Sequence, residues 1–212
     1  MSARCGPSPA EFGPDMIHPT AIVEDGVSIG DGTSVWDSVH IRGPATIGSN
    51  CIIGEKTYIA YGVRIGNLVK INARVYVCAG VTIEDGVMLS AGVTFTNDRF
   101  PRATNPDVTE LRSSAPDDHT LDTTVRRGTT IGAGAIIGPG FEIGEFAMVG
   151  MGSVVTKTVA AHHLVVGNPA RPVGAVCRCG HPIARFPIED GDVECSVCGR
   201  RYAIKDHEVA EL

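Results

Sequence analysis

Four cysteines near the C-terminus, Cys177, Cys179, Cys195 and Cys198, carry the clearest local chemistry in the chain. They form two short knuckles, Cys177-x-Cys179-Gly and Cys195-x-x-Cys198-Gly, separated by a hairpin-length segment. Each knuckle bends two thiols toward one point, as a tetrahedral four-thiolate zinc site requires. Four protein ligands fill the coordination sphere and leave no position for water, so the expected metal is structural. His181 is an alternative ligand to Cys179. A disulfide pairing is not expected in a cytoplasmic protein.

A second group lies in TNDRFPRATNPDVTELRSSAPDDHTLDTT, residues 96–124. This segment brings together an amide, Asn97, a carboxylate, Asp98, and one imidazole, His119. The imidazole is the candidate base, because it can take a proton near neutral pH. Asp98 either holds the loop or stabilises a cationic substrate. Arg102 lies within the segment, and Arg64, Lys70 and Arg74 lie before it. Such groups are candidates for phosphate, as charge-assisted donors. Tyr61, Tyr58 and Trp36 offer aromatic faces for stacking. A further basic pair, Lys157 and Arg171, closes the periodic part of the chain.

The element that must position these residues is a repeat. Every sixth residue is aliphatic from Ile17 through Val23, Ile29, Val35 and so on to Leu89. The pattern stops at Phe95 and resumes in the same frame at Val125, Ile131, Ile137, Ile143, Val149 and Val155. A period of six matches neither a helix nor a long alternating strand, but it suits a coil of short strands. Small or mid-sized residues recur four places after each aliphatic, giving a second inward position. Glycines recur at the places where corners need positive φ. The expected result is a prism with a narrow aliphatic core, its strands bonded between coils roughly 4.8 Å apart.

This run resembles the hexapeptide repeat of the left-handed parallel β-helix acyltransferases over about residues 17–175, and the left-handed sense is taken from that resemblance. The string Phe95-Thr96-Asn97-Asp98-Arg99-Phe100-Pro101-Arg102-Ala103, together with IGNLVKINARVYVCAGVTIEDG before it, is similar to the nucleotide-linked 3-amino-sugar N-acetyltransferases. That resemblance implies acetyl transfer from acetyl-CoA to the 3-amino group of a UDP- or dTDP-linked sugar, for a surface polysaccharide or a glycosylated metabolite. Asn97 then stands where many hexapeptide acetyltransferases carry a histidine base. It accepts a hydrogen bond and orients the amine without taking its proton. Residues 154–171 are similar to the end of the helix in that superfamily, which implies that Lys157 and Arg171 lie near coenzyme A. A homotrimer with active sites between neighbouring prisms is also implied. The knuckles resemble a zinc ribbon.

The resulting division is an N-terminal arm at 1–16, a repeat domain at 17–175 with an inserted loop at 95–124, and a zinc-ribbon-like unit with its tail at 176–212. In an all-β prism of this kind, the outward stack Ile22, His40, Tyr58 and Tyr76 suggests a subunit interface. His162 and His163 fall outside the aliphatic frame, and no role is assigned to them. A net charge of −6 argues against a general nucleic-acid or membrane surface. No apolar stretch reads as a signal sequence or a membrane span, so a cytoplasmic location is expected. A metal hydratase of the same fold is disfavoured, because no two histidines stand at His-x4-His on the prism. A transferase with another small acceptor and a non-catalytic trimeric scaffold remain the alternatives.

Overall fold

The computed structural model describes residues 16–212; most of the N-terminal arm, including Cys5, lies outside the described residues. The chain winds as a three-sided parallel β-solenoid, with strands of only two or three residues separated by corners. The first face stacks Ile22–Val23, His40–Ile41, Tyr58–Ile59, Tyr76–Val77, Thr94–Phe95, Ile136–Ile137 and Val154–Val155. The second runs from Val27–Ile29 to Glu142–Ile143, and the third from Ser34–Val35 to Met148–Val149. Paired residues are eighteen apart in sequence, as in Ile22↔His40 and His40↔Tyr58, so three hexads make one coil. Among the described residues there is no helix, and so none long and apolar enough to cross a membrane.

The hexad explains the geometry. The aliphatic frame residues point inward and are buried from Val35 to Val155, and the companion positions Val39, Ala45, Cys51, Val63 and Val69 are buried beside them. Thr33, Thr57 and Thr129 also point inward, and each hydroxyl donates to a backbone carbonyl of the next coil, those of Gly48, Asn72 and Gly144. A buried hydroxyl without such a partner would cost about 1–3 kcal/mol. Left-handed backbone recurs every sixth residue, at Gly62, Leu68, Arg74, Gly80, Gly86 and Gly92. This conformation turns the corners, and only glycine adopts it freely.

One expectation needs correction and one needs refining. The repeat does not stop at Phe95: its side chain is fully buried in the aliphatic frame and pairs in register with Ile137. The inserted segment is largely irregular between the strands Thr94–Phe95 and Thr123–Val125, but it is not without pairing. Register jumps by forty-two residues across it, as in Thr94↔Ile136 and Thr82↔Thr124, so twenty-four residues beyond one coil are inserted. These leave the prism as an arm whose two sides meet at two isolated antiparallel bridges, Asp98↔Thr120 and Thr104↔Leu111. Leu121 N–H donates to Asn97 O at 2.8 Å, closing the arm where it leaves the prism.

Past the last coil the third face continues with a change of direction. His163–Val166 joins it in parallel, Arg171–Val176 turns back antiparallel, and Pro182–Arg185 follows. A separate three-stranded sheet, Gly191–Glu194, Arg201–Lys205 and Glu208–Glu211, completes the C-terminal unit.

Candidate active site and cysteine centre

The first corner of each coil gathers three of the residues singled out from sequence. Tyr61, Asn97 and Lys157 each lie two places beyond an inward first-face residue, namely Ile59, Phe95 and Val155. The paired register Phe95↔Ile137↔Val155 puts Lys157 two coils above Asn97, a rise of roughly 10 Å. Ala79 lies one coil below Asn97, and the Asn97 Nδ2 donates to its carbonyl at 3.1 Å. That bond fixes the amide and leaves its Oδ1 as the acceptor.

The arm springs from this corner. A cleft of about 380 Å³ at its base is lined by Asp98, Arg99, Leu121, Pro139, Phe141 and Thr156. Asp98 Oδ1 accepts the N–H of Phe100 at 2.8 Å, so this carboxylate holds the turn. His119 is exposed in a turn on the returning side of the arm, edge-on to the Phe100 ring at 5.2 Å. Its N–H donates to Asp117 Oδ1, which contributes first to holding the Asp117 carboxyl below its usual range. At the top of the prism, Lys157 lines a pocket of about 240 Å³ with His163, Ala170 and Pro172. Arg171 lies between two of those lining residues and donates to Ala170 O at 2.8 Å.

The other proposed anion-binding residues do not converge within one chain. Arg64 is exposed on the second face and contacts Thr82 Oγ1 at 3.5 Å. Lys70 belongs to the third face, in a groove of about 530 Å³ with Trp36, Ile52 and Glu55. Arg74 sits at the corner between the third and first faces, and Arg102 lies on the arm, donating to Pro101 O. Tyr61 is exposed, with the Arg42 guanidinium 6.0 Å from its ring centre.

The first face carries a polar network that sequence reasoning missed. Glu24 accepts from His40 Nε2 at 2.9 Å and from Arg42 Nε at 3.1 Å, and those two bonds hold its carboxyl below the usual range. Tyr58 stands edge-on to His40 and stacks on Tyr76 with ring centres 5.2 Å apart. The eighteen-residue coil was the available signal, since Glu24 and Arg42 are one coil apart.

The four C-terminal cysteines converge. Their sulfurs all lie within 4.8 Å of one another, with Cys177–Cys198 at 3.3 Å and Cys179–Cys195 at 3.6 Å. Thiolates at about 2.3 Å from a tetrahedral zinc would stand roughly 3.8 Å apart, so the donor set fits. Gly180 and Gly199 follow the knuckles with positive φ, and their N–H groups return to Cys177 O and Cys195 O. The Cys195 thiol is drawn below its ordinary value, first by the N–H of Cys198, and Cys198 is lowered to about 6, first by the N–H of Arg200. Cys179 moves the other way: the His181 N–H pulls it down, but desolvation and its hydrogen bonds to the other three thiols push it up to about 12, so the set shares its remaining protons and a metal would displace them. His181 stands beside the set, its Nδ1 3.4 Å from Cys179 Sγ.

Residues 26–61 and 62–97 match the family described as bacterial transferase hexapeptide (six repeats), and 44–79 and 126–157 match the hexapeptide repeat of succinyl-transferase. A dTDP-3-amino-3,6-dideoxy-alpha-D-galactopyranose 3-N-acetyltransferase of Aneurinibacillus thermoaerophilus is 41% identical over 90 residues, 42% of this chain and 45% of that protein. Serine acetyltransferase of Escherichia coli K12 is 46% identical over 50 residues, 24% of this chain and 18% of that enzyme. The chain thus spans less than half the length of these curated relatives. Among solved structures, a mutant of AntD, an N-acyltransferase from Bacillus cereus in complex with dTDP and coenzyme A, superposes with a TM-score of 0.51 at 20% identity, covering 76% of this chain and 94% of that one. The polySia-specific acetyltransferase NeuO superposes at 0.52 with 22% identity, covering 69% and 70%. Both are likenesses of fold.

Proposed function

The chain carries the bacterial-transferase hexapeptide repeat, and on that premise we propose that it is an acetyl-CoA-dependent N-acetyltransferase acting on the 3-amino group of a nucleotide-linked sugar. The observation that carries this reading is the corner on which Tyr61, Asn97 and Lys157 stack, with the arm rising from it. The 41% identity to a dTDP-3-amino-sugar acetyltransferase supports the acceptor class.

In this reading Lys157 and Arg171 meet the phosphates of coenzyme A at the top of the prism, and its thioester reaches down the corner toward Asn97. Asn97 Oδ1 accepts one N–H of the amine and aims the nitrogen lone pair at the acetyl carbon. The new bond is C–N and the broken one is C–S. The amine proton leaves to water or to the departing thiolate. Electronegative substituents make a sugar amine less basic than lysine, so a useful fraction is neutral near pH 7 and positioning carries most of the acceleration. A general base would add about 10²–10⁴-fold, and His119 is the candidate if the reaction uses one.

Arg64, Lys70, Arg74 and Arg102 occupy different faces of one chain, so a shared diphosphate site needs a neighbouring prism. A homotrimer with clefts between subunits supplies it. The four cysteines hold a structural zinc ion in this reading, and no chemical step passes through it.

The test is acetyl-CoA-dependent thiol release with UDP- and dTDP-linked 3-amino sugars and with serine as acceptors. Turnover confined to the amino sugars, reduced about 10²-fold in Asn97→Ala, is expected. His119→Ala should lose less than tenfold, and a loss of 10³-fold would make it the base. Turnover with serine alone, or release with none of these acceptors, would overturn the amino-sugar assignment.

A further inference from the structure

The C-terminal unit is joined to the prism through a packed chain of rings that runs into the cysteine centre. Tyr202 is fully buried; its hydroxyl stands 3.1 Å from Cys177 Sγ and accepts the N–H of Arg178 at 3.1 Å. The hydroxyl can accept that N–H and still bond the sulfur, and it is the donor of the two wherever Cys177 is a thiolate. On its other side Tyr202 packs edge-on against His162, with ring centres 5.1 Å apart, and His162 stacks on Phe146 at 5.4 Å. The Arg178 guanidinium lies 4.4 Å from the Phe146 ring centre.

The prism is shaped for this contact. Phe146 occupies a corner with φ of 54°, a conformation most other corners give to glycine. Below it Gly128 leaves the room: a Cβ there would come within 2.2 Å of the Phe146 ring. His162 Nδ1 lies 3.0 Å from Val176 O, and Val176 N–H donates to His162 O at 2.8 Å. The chain therefore closes a loop from His162 through the hairpin His163–Val166 and Arg171–Val176 to Cys177. That hairpin supplies His163, Ala170 and Pro172 to the pocket that holds Lys157.

We propose that the four-cysteine centre is a clasp that fixes residues 162–176 onto the last coils, with Tyr202 as the positioning residue that couples the Cys177 thiolate to His162 and Phe146. This rests on the zinc reading above. Metal loading then orders one wall of the Lys157 pocket, at a distance from the metal itself.

The experiment is hydrogen exchange on the full-length protein, zinc-loaded and after chelation, beside Tyr202→Phe and Gly128→Ala. Metal analysis comes first: less than half a zinc per chain removes the zinc reading, and the clasp with it. With zinc bound, chelation should speed exchange at 162–176 at least tenfold while residues 40–95 are unchanged. Tyr202→Phe should keep its metal, partly reproduce the loss, and shift the thiolate-to-metal absorption of the cobalt-substituted protein. Gly128→Ala should displace Phe146 and speed exchange at 162–176 with the metal retained. Faster exchange confined to residues 177–212 after chelation, or an unshifted cobalt spectrum in Tyr202→Phe, would overturn the clasp.

Discussion

The Asn97 side chain is tied down by one bond, to Ala79 O, and its backbone carbonyl by another, from Leu121. One residue thus anchors the arm and presents an acceptor beside it, which is why truncation is expected to act on turnover more than on stability. His162 illustrates a different use of a side chain. It is buried against Phe146 and Tyr202, with Arg178, Glu145 and Glu211 as its charged neighbours, and burial is the first cause of a pKa below the ordinary 6.5. A depressed folded value means that the unfolded chain binds the proton more readily, so its contribution is intact above pH 6.5 and lost as pH falls from there. Thermal melts between pH 7.5 and 5.5 should therefore show a steeper decline for the wild type than for His162→Gln. Parallel curves would contradict this.

At the scale of elements, each strand is too short to be stable alone and persists because coils stack on both sides of it. The inward residues set that stacking, and Phe95 is the largest of them, fully buried directly before the arm. Phe95→Ala should cost about 3–5 kcal/mol, read as a fall in the denaturation midpoint; a change under 1 kcal/mol would mean that the coil below the arm is loosely packed. The prism was legible because one aliphatic per six residues marks every coil. Phe95 was missed only because a phenyl ring was not counted as the same inward group as isoleucine. The arm was harder. Its two sides meet at isolated backbone bridges with little buried apolar surface, and such pairing leaves no periodic mark in the side chains. The cysteine knuckles were legible because each is local; Tyr202 and His162 were not, because their meeting depends on a hairpin that reverses after the last coil. The cationic residues Arg64, Lys70 and Arg74 looked like one cluster in sequence, and the three-sided winding sends them to different sides.

At the scale of the molecule, the prism behaves as a rigid post on which two additions are mounted, one at a corner and one at its end. Nothing in the coil register depends on the first. Joining Asn97 directly to Asp122 removes the inserted twenty-four residues and leaves Phe95 and Val125 at the ordinary hexad spacing. This deletion should fold, with the circular dichroism of a β-solenoid and a melting temperature within a few degrees of the parent. Thiol release should fall at least 10²-fold because Asp98, Arg102 and His119 leave with it. Misfolding on deletion would show instead that the arm helps to close the coil.

The hydrogen bond between Leu121 and Asn97 makes the arm's entrance and exit adjacent. Geometrically, the arm is a cassette plugged into a two-pin socket. Its length and sequence can change while the post keeps its pitch, because the coil register runs on past the insertion.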